Sequence, residues 1–252
     1  MRSLWSGVIV LVCWASMAFA APAADSTAAV NDARRLVQQV VDAYGGRAAL
    51  EQVKAYRMDG RIVAGMQGRE GPMSRLFQRP GRLRIELRYT DGTETRIVNA
   101  ERGWRGVGGD VNAVTGPMLG AMVLQAARAD LPLFLLTHLD SVRAVDPLER
   151  DSLRLEGVEV ACGAGRQMRA YIDPVTHHIL VSHSRLVTGG RSTLFQTEYS
   201  DFRKVGSVVF AFHEENFASG MATGTTTVER VTLNPRLRPT DFGAPAAKGR
   251  EI

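Results

Sequence analysis

Leu83, Ile85, Leu87 and Tyr89 alternate with Arg82, Arg84, Glu86 and Arg88. Successive side chains on a β-strand point to opposite faces, so this run predicts a strand with one apolar and one charged face. Such a strand needs a cover on one side and water on the other, which antiparallel sheets provide. The same period recurs upstream, where Tyr56, Met58, Gly60 and Ile62 oppose Arg57, Asp59, Arg61 and Val63. Met73 to Gln78 is extended and ends at the turn pair Pro80-Gly81, and Asp91-Gly92 is a hairpin signal leading into Thr93 to Val98. Further strands are predicted at Ser152–Val160, Gln167–Ile172, Ile179–Leu186, Thr193–Tyr199, Val208–Phe217 and Thr225–Leu233, with Asp173-Pro174-Val175-Thr176 as a turn. Roughly ten or eleven short strands separated by turns predict a strongly curved sheet or barrel.

Two stretches break this period. Leu36, Val40 and Tyr44, with Ala33, Val37 and Val41 beside them, make an apolar helical stripe. Asn31 or Asp32 can cap that helix, and Gly45-Gly46 stops it, because glycine adopts the left-handed cap conformation at little cost. A short turn from Arg47 to Val53 follows. After the pattern breaks at Gly106 to Gly109, Pro117 opens a second helical region with Met118, Leu119, Met122, Val123 and Ala126 on one face. Asp130 with Pro132 opens another, through Leu133 to Leu139. This apolar region is too short and interrupted to span a membrane, so the sheet or a ligand must cover it.

The N-terminus predicts export. Arg2 precedes an apolar stretch from Leu4 to Phe19, and Ala18-Phe19-Ala20 has the small-x-small form of a cleavage site. We therefore expect a cleavable signal peptide over 1–20, a flexible leader over 21–30, one β domain over 31–243 and a flexible tail over 244–252. Of the two cysteines, Cys13 falls within the signal and Cys162 remains, so an intramolecular disulfide is excluded in the processed chain. The sequence assigns Cys162 to a buried or half-buried strand position. The expected location is the periplasm, and the chain is not expected to be transmembrane after cleavage.

Composition narrows the function. An apolar content of 45% supports a packed core, and the net charge of +5 is spread among acids rather than gathered in a tract, which excludes a nucleic-acid partner. His177, His178 and His183 have the wrong strand parity to converge on a metal ion, and no zinc spacing is present. His213-Glu214-Glu215 follows the apolar run Val208–Phe212 and is read as a solvated strand end. Ser182, Ser184 and Ser192 lack a glycine-flanked elbow. No catalytic, metal or cofactor site is therefore predicted. What remains is a concave apolar face under a Met- and Leu-rich cover, with Leu83, Ile85, Leu87, Tyr89, Met118, Met122 and Phe195 as candidate lining residues. Methionine is flexible and polarizable and suits a surface that accepts varied apolar shapes.

Tyr44-Gly45-Gly46-Arg47-Ala48-Ala49-Leu50-Glu51-Gln52-Val53, leading into a strand with Gly60, resembles the opening of LolA-like outer-membrane lipoprotein-sorting proteins. Tyr199-Ser200-Asp201-Phe202-Arg203-Lys204-Val205-Gly206, then Val231-Thr232-Leu233-Asn234 and Phe242, is similar to their late strands. The chain departs in having Ala211 where the family often has proline. The resemblance implies an incomplete β-barrel with helices closing its mouth and acyl chains in the concavity. No functional residue is carried over. The expected function is a monomeric, non-enzymatic carrier of lipids or lipoprotein acyl chains. The alternative is a structural or regulatory module that binds another envelope protein and takes no small ligand.

Overall fold

The computed structural model describes residues 24–65, 68–163 and 165–244. The expected signal peptide and all of the tail beyond its first residue lie outside them. The chain opens with α1 (Ala24–Ala43) and α2 (Arg47–Gln52), followed by six strands. These are β1 (Ala55–Ala64), β2 (Arg69–Gln78), β3 (Arg82–Tyr89), β4 (Gly92–Asn99), β5 (Arg102–Val107) and β6 (Asp110–Val114). Helices α3 (Gly116–Arg128) and α4 (Leu131–Thr137) come next. Seven more strands complete the fold: β7 (Arg143–Arg150), β8 (Leu153–Ala161), β9 (Arg166–Ile172), β10 (Ile179–Thr188), β11 (Arg191–Val205), β12 (Val208–Ala218) and β13 (Met221–Leu233).

All thirteen strands belong to one antiparallel sheet in the order β6-β5-β4-β3-β2-β1-β13-β12-β11-β10-β9-β8-β7. Two meanders, β1–β6 and β7–β13, are joined where β1 pairs with β13, and β6 and β7 are left as edges. The sheet is thus an incomplete barrel, as the resemblance implies; the strand pattern alone left a curved sheet or a barrel open. Because β6 and β7 are consecutive in sequence yet lie at opposite edges, the chain must cross the concave side between them. The helices α3 and α4 make that crossing, bent by 93° relative to one another. No single described helix is long and apolar enough to cross a membrane.

Burial follows the alternation. Leu83, Ile85, Leu87 and Tyr89 are buried, whereas Arg82 and Arg88 are exposed. On α1, Leu36, Val37, Val40 and Val41 are buried, as is Tyr44 just beyond its end, and the helix packs on α4 and β7. Gly45 ends it with φ +118°, and a Cβ there would stand 2.1 Å from the Ser207 carbonyl oxygen in the β11–β12 turn. Only glycine meets both conditions. After β13 the chain returns over the sheet, burying Asp241 and Phe242.

Several expectations need correction. The helix begins at Ala24, so Ser26 to Val30 are helical rather than a loose leader, and Asn31 and Asp32 lie inside it. The pattern break at Gly106 to Gly109 holds a hairpin turn at Gly108-Gly109, between the unpredicted strands β5 and β6. The edge strand β7 escaped prediction because Pro147 and four charged residues leave it without an apolar face. Asp130 stands at the N-cap of α4 but makes no capping hydrogen bond. Its carboxylate instead accepts two hydrogen bonds from Arg79, at 2.6 Å to Oδ2 and 2.5 Å to Oδ1.

Arg79 also donates to the carbonyls of Leu50 and Val53. It thereby ties the end of β2 to α2 and to the bend between α3 and α4. Both partners are largely buried. Arg79→Ala leaves a buried carboxylate without its cation and is expected to lower stability by about 3 kcal/mol. Urea-unfolding midpoints of the two proteins measure the difference.

Candidate functional site

The concave face and α3 enclose a cavity of about 520 Å³, within the ~300–1,000 Å³ typical of small-molecule sites. Its floor comes from inward positions of β1–β3, notably Ile62, Met73, Ile85, Leu87 and Tyr89. The opposite wall is built by Leu186 on β10, Phe195 on β11 and Asn216 to Ala218 on β12. From above, α3 contributes Met118, Met122 and Leu124. Pleat and helix period together explain the lining: β3 gives every second residue and α3 gives one face.

Six of the sequence-predicted residues meet here: Ile85, Leu87, Tyr89, Met118, Met122 and Phe195. Leu83 does not. It is 2% exposed and sits in the solid core, in register with Phe77. Met118 is at the rim, 42% exposed, with its Sδ 3.3 Å from a guanidinium nitrogen of Arg105.

The charged groups were not foreseen. Glu214, read from sequence as part of a solvated strand end, is 5% exposed. Its two carboxylate oxygens accept hydrogen bonds from Arg75 Nη1 and Nη2, each at 2.7 Å. The signal was parity: Glu214 shares an inward face with Phe210 and Phe212, and Arg75 shares one with Met73 and Phe77. Burial alone would push the Glu214 carboxyl up. The charge and hydrogen bonds of Arg75, with the nearby charge of Arg128, outweigh burial and hold it below the usual carboxylate range.

A second cavity of about 100 Å³ lies below the junction of α3 and α4 and shares Arg75, Gln125 and Arg128 with the first. Tyr56 lines it and donates its hydroxyl hydrogen to the Ala129 carbonyl at 2.7 Å, which fastens the end of α3 to the sheet. At the other end of the larger cavity, Glu94 is buried and shared by Arg96 (2.7 Å) and Arg105 (2.9 Å).

The histidines have structural partners. His178 stacks on Phe202 and meets the edge of Tyr44, while His183 meets the edge of Tyr171 and bonds Gln196 at 3.1 Å. Among the described residues, no three His, Cys, Asp or Glu side chains are placed to hold one metal ion. Cys162 follows β8 and is half-buried, and burial pushes its thiol up to about 12. The arrangement offers a partly open, mainly apolar hollow with charged groups at both ends.

No protein-family model and no curated protein matches the sequence. Solved structures do match. A DUF1329 family protein from Desulfovibrio piger aligns with a TM-score of 0.55 at 10% identity, over 87% of this chain and 99% of that one. A domain described as an outer membrane lipoprotein-sorting protein from Vibrio parahaemolyticus gives 0.53 at 10% identity, over 85% and 97%. A LolA superfamily protein from Nitrosomonas europaea gives 0.51 at 11% identity, over 84% and 97%. A half-barrel with a helical cover over an apolar hollow is thus the structural class of this chain. Within that class it shares the fold of the LolA superfamily and of lipoprotein-sorting domains, as the sequence resemblance implies.

Two outcomes follow from the site's chemistry. A carboxyl held low in the folded state stabilises the fold above its unfolded value of 4.5, and that contribution disappears as pH falls through the folded value. Urea unfolding between pH 3 and 6 is expected to show a smaller loss of stability on acidification in Glu214→Gln than in the unchanged protein. Cys162 is expected to react with a thiol-specific disulfide reagent at pH 8 far more slowly than in urea, because the thiolate is the reactive form.

Proposed function

We propose that the protein is a periplasmic, non-enzymatic carrier or binding protein for lipids or lipoprotein acyl chains. The larger cavity carries this reading: a partly open hollow, lined by Ile85, Leu87, Tyr89, Met122 and Phe195 and roofed by the helix that crosses the sheet's mouth. An acyl chain entering it gains about 0.8 kcal/mol for each methylene removed from water. Met118 and Met122 adapt their unbranched side chains to the shape of the chain beneath them. Export follows from the N-terminal sequence, with 1–20 as the cleaved signal and the β domain ending near 243. The likeness in fold to lipoprotein-sorting domains supports the same reading. Binding another envelope protein by strand addition finds less support, since β6 is short and β7 carries Pro147 and a row of charges.

Native mass spectrometry of the protein isolated gently from a bacterial periplasm tests the proposal. The expected result is a co-purifying mass that extracts into organic solvent. A clean apoprotein that also binds no fluorescent lipid probe would overturn it. Met122→Asp places a charge on the cavity roof and is expected to weaken probe binding by about tenfold or more. Fluorescence titration measures the change, and an unchanged affinity removes α3 from the site.

A further inference from the structure

The helix over the cavity has its polar groups on the wrong side for a simple cover. In the sequence GPMLGAMVLQAAR of α3, Gln125 and Arg128 are the only polar side chains. A surface helix normally turns such residues to water. Here both line the two cavities, three residues apart on one helix face. Neither side chain makes a hydrogen bond or ion pair among the described residues. The Arg128 charge acts on both Glu214 and Tyr199, which places its guanidinium near the buried Arg75–Glu214 pair.

The cavity wall carries an excess of positive charge. Arg75, Arg96, Arg105 and Arg128 line the larger cavity, and no carboxylate does. Glu214 neutralises Arg75, and Glu94 is shared between Arg96 and Arg105. One positive charge is therefore left at the Glu94 end and one at Arg128. A guanidinium beside an apolar hollow is partly stripped of water, and an anion offsets that cost better than any neutral group. On the β10 wall, Ser184 is 2% exposed and its Oγ has no hydrogen-bond partner among the described residues.

We infer that the cavity binds an anionic amphiphile whose carboxylate or phosphate accepts hydrogen bonds from Arg128 and Gln125. The acyl chain lies along Ile85, Leu87, Met122 and Phe195. The inference rests on the carrier reading and adds to it the charge of the ligand.

Competition against a neutral fluorescent probe, N-phenyl-1-naphthylamine, tests this with the purified protein. The competitors are palmitate, 1-palmitoyl-lysophosphatidate and the uncharged 1-monopalmitoylglycerol. One or both anions are expected to compete at least about tenfold better than the neutral lipid, the size of a charge-assisted hydrogen bond. The stronger of the two identifies the headgroup as carboxylate or phosphate. Arg128→Gln is expected to bring anion and neutral lipid within about threefold, Arg128→Lys to retain the preference, and Arg35→Gln on the exposed face of α1 to change nothing. Equal competition by all three lipids in the unchanged protein, or a preference that survives Arg128→Gln, overturns the inference and leaves the carrier reading standing. Failure of every lipid to displace the probe overturns both. The comparison of lipids on the unchanged protein decides the matter even where a variant fails to fold.

Discussion

Everything else in the fold depends on the pairing of β1 with β13. The register runs from Tyr56 opposite Leu233 to Val63 opposite Thr225, with one irregularity between Asp59 and Gly60. A Cβ on Gly60 would lie 2.1 Å from the Thr227 carbonyl oxygen, so the two backbones approach this closely only at a glycine. This seam turns two meanders into one continuous curved sheet. It also sends the consecutive strands β6 and β7 to opposite edges, and that separation forces the intervening chain across the opening. The cover is therefore a consequence of strand order rather than an addition to it.

The polar groups inside the half-barrel are costly to bury, and a hydrophobic replacement of similar volume would often be as stable or more so. Arg75 with Glu214 and Arg79 with Asp130 are thus poorly explained by stability alone. Their positions suggest two other uses. Arg79 gathers carbonyls from α2 and the carboxylate before α4 around one planar guanidinium, fixing where the cover begins its second turn. Arg75 and Glu214 lie between the small cavity and the large one and give the hollow one of its polar ends.

Wherever an element has one wet and one dry face, its place was legible in the sequence. The alternation from Arg82 to Tyr89 marks β3 and its inward face, and the stripe from Ala33 to Tyr44 marks α1. Strand parity and the helical face of α3 gave six of the cavity's lining residues, including Ile85, Leu87 and Met122. Legibility failed where both faces are wet, as at β7, since neither period then appears. It failed too for Leu83, because strand parity gives the direction of a side chain but not its depth along the sheet. Glu214 was misread because charge was weighed above parity, although its inward neighbours Phe210 and Phe212 pointed the other way. The Arg79–Asp130 pair joins residues 51 positions apart, a contact that local pattern does not encode.

Strand order also sets a timetable for the chain as it is made. The first strand to emerge, β1, lies at the middle of the finished sheet, and its neighbour on one side is the last strand, β13. Until Met221–Leu233 arrives, the β1 edge is an open row of peptide groups, and the second meander has nothing to dock against. Contacts between distant segments form late, because closing a long loop costs entropy before any pairing repays it. A nascent chain of this topology therefore stays incomplete through nearly all of its synthesis. Such a chain cannot complete its sheet before its last strand has arrived.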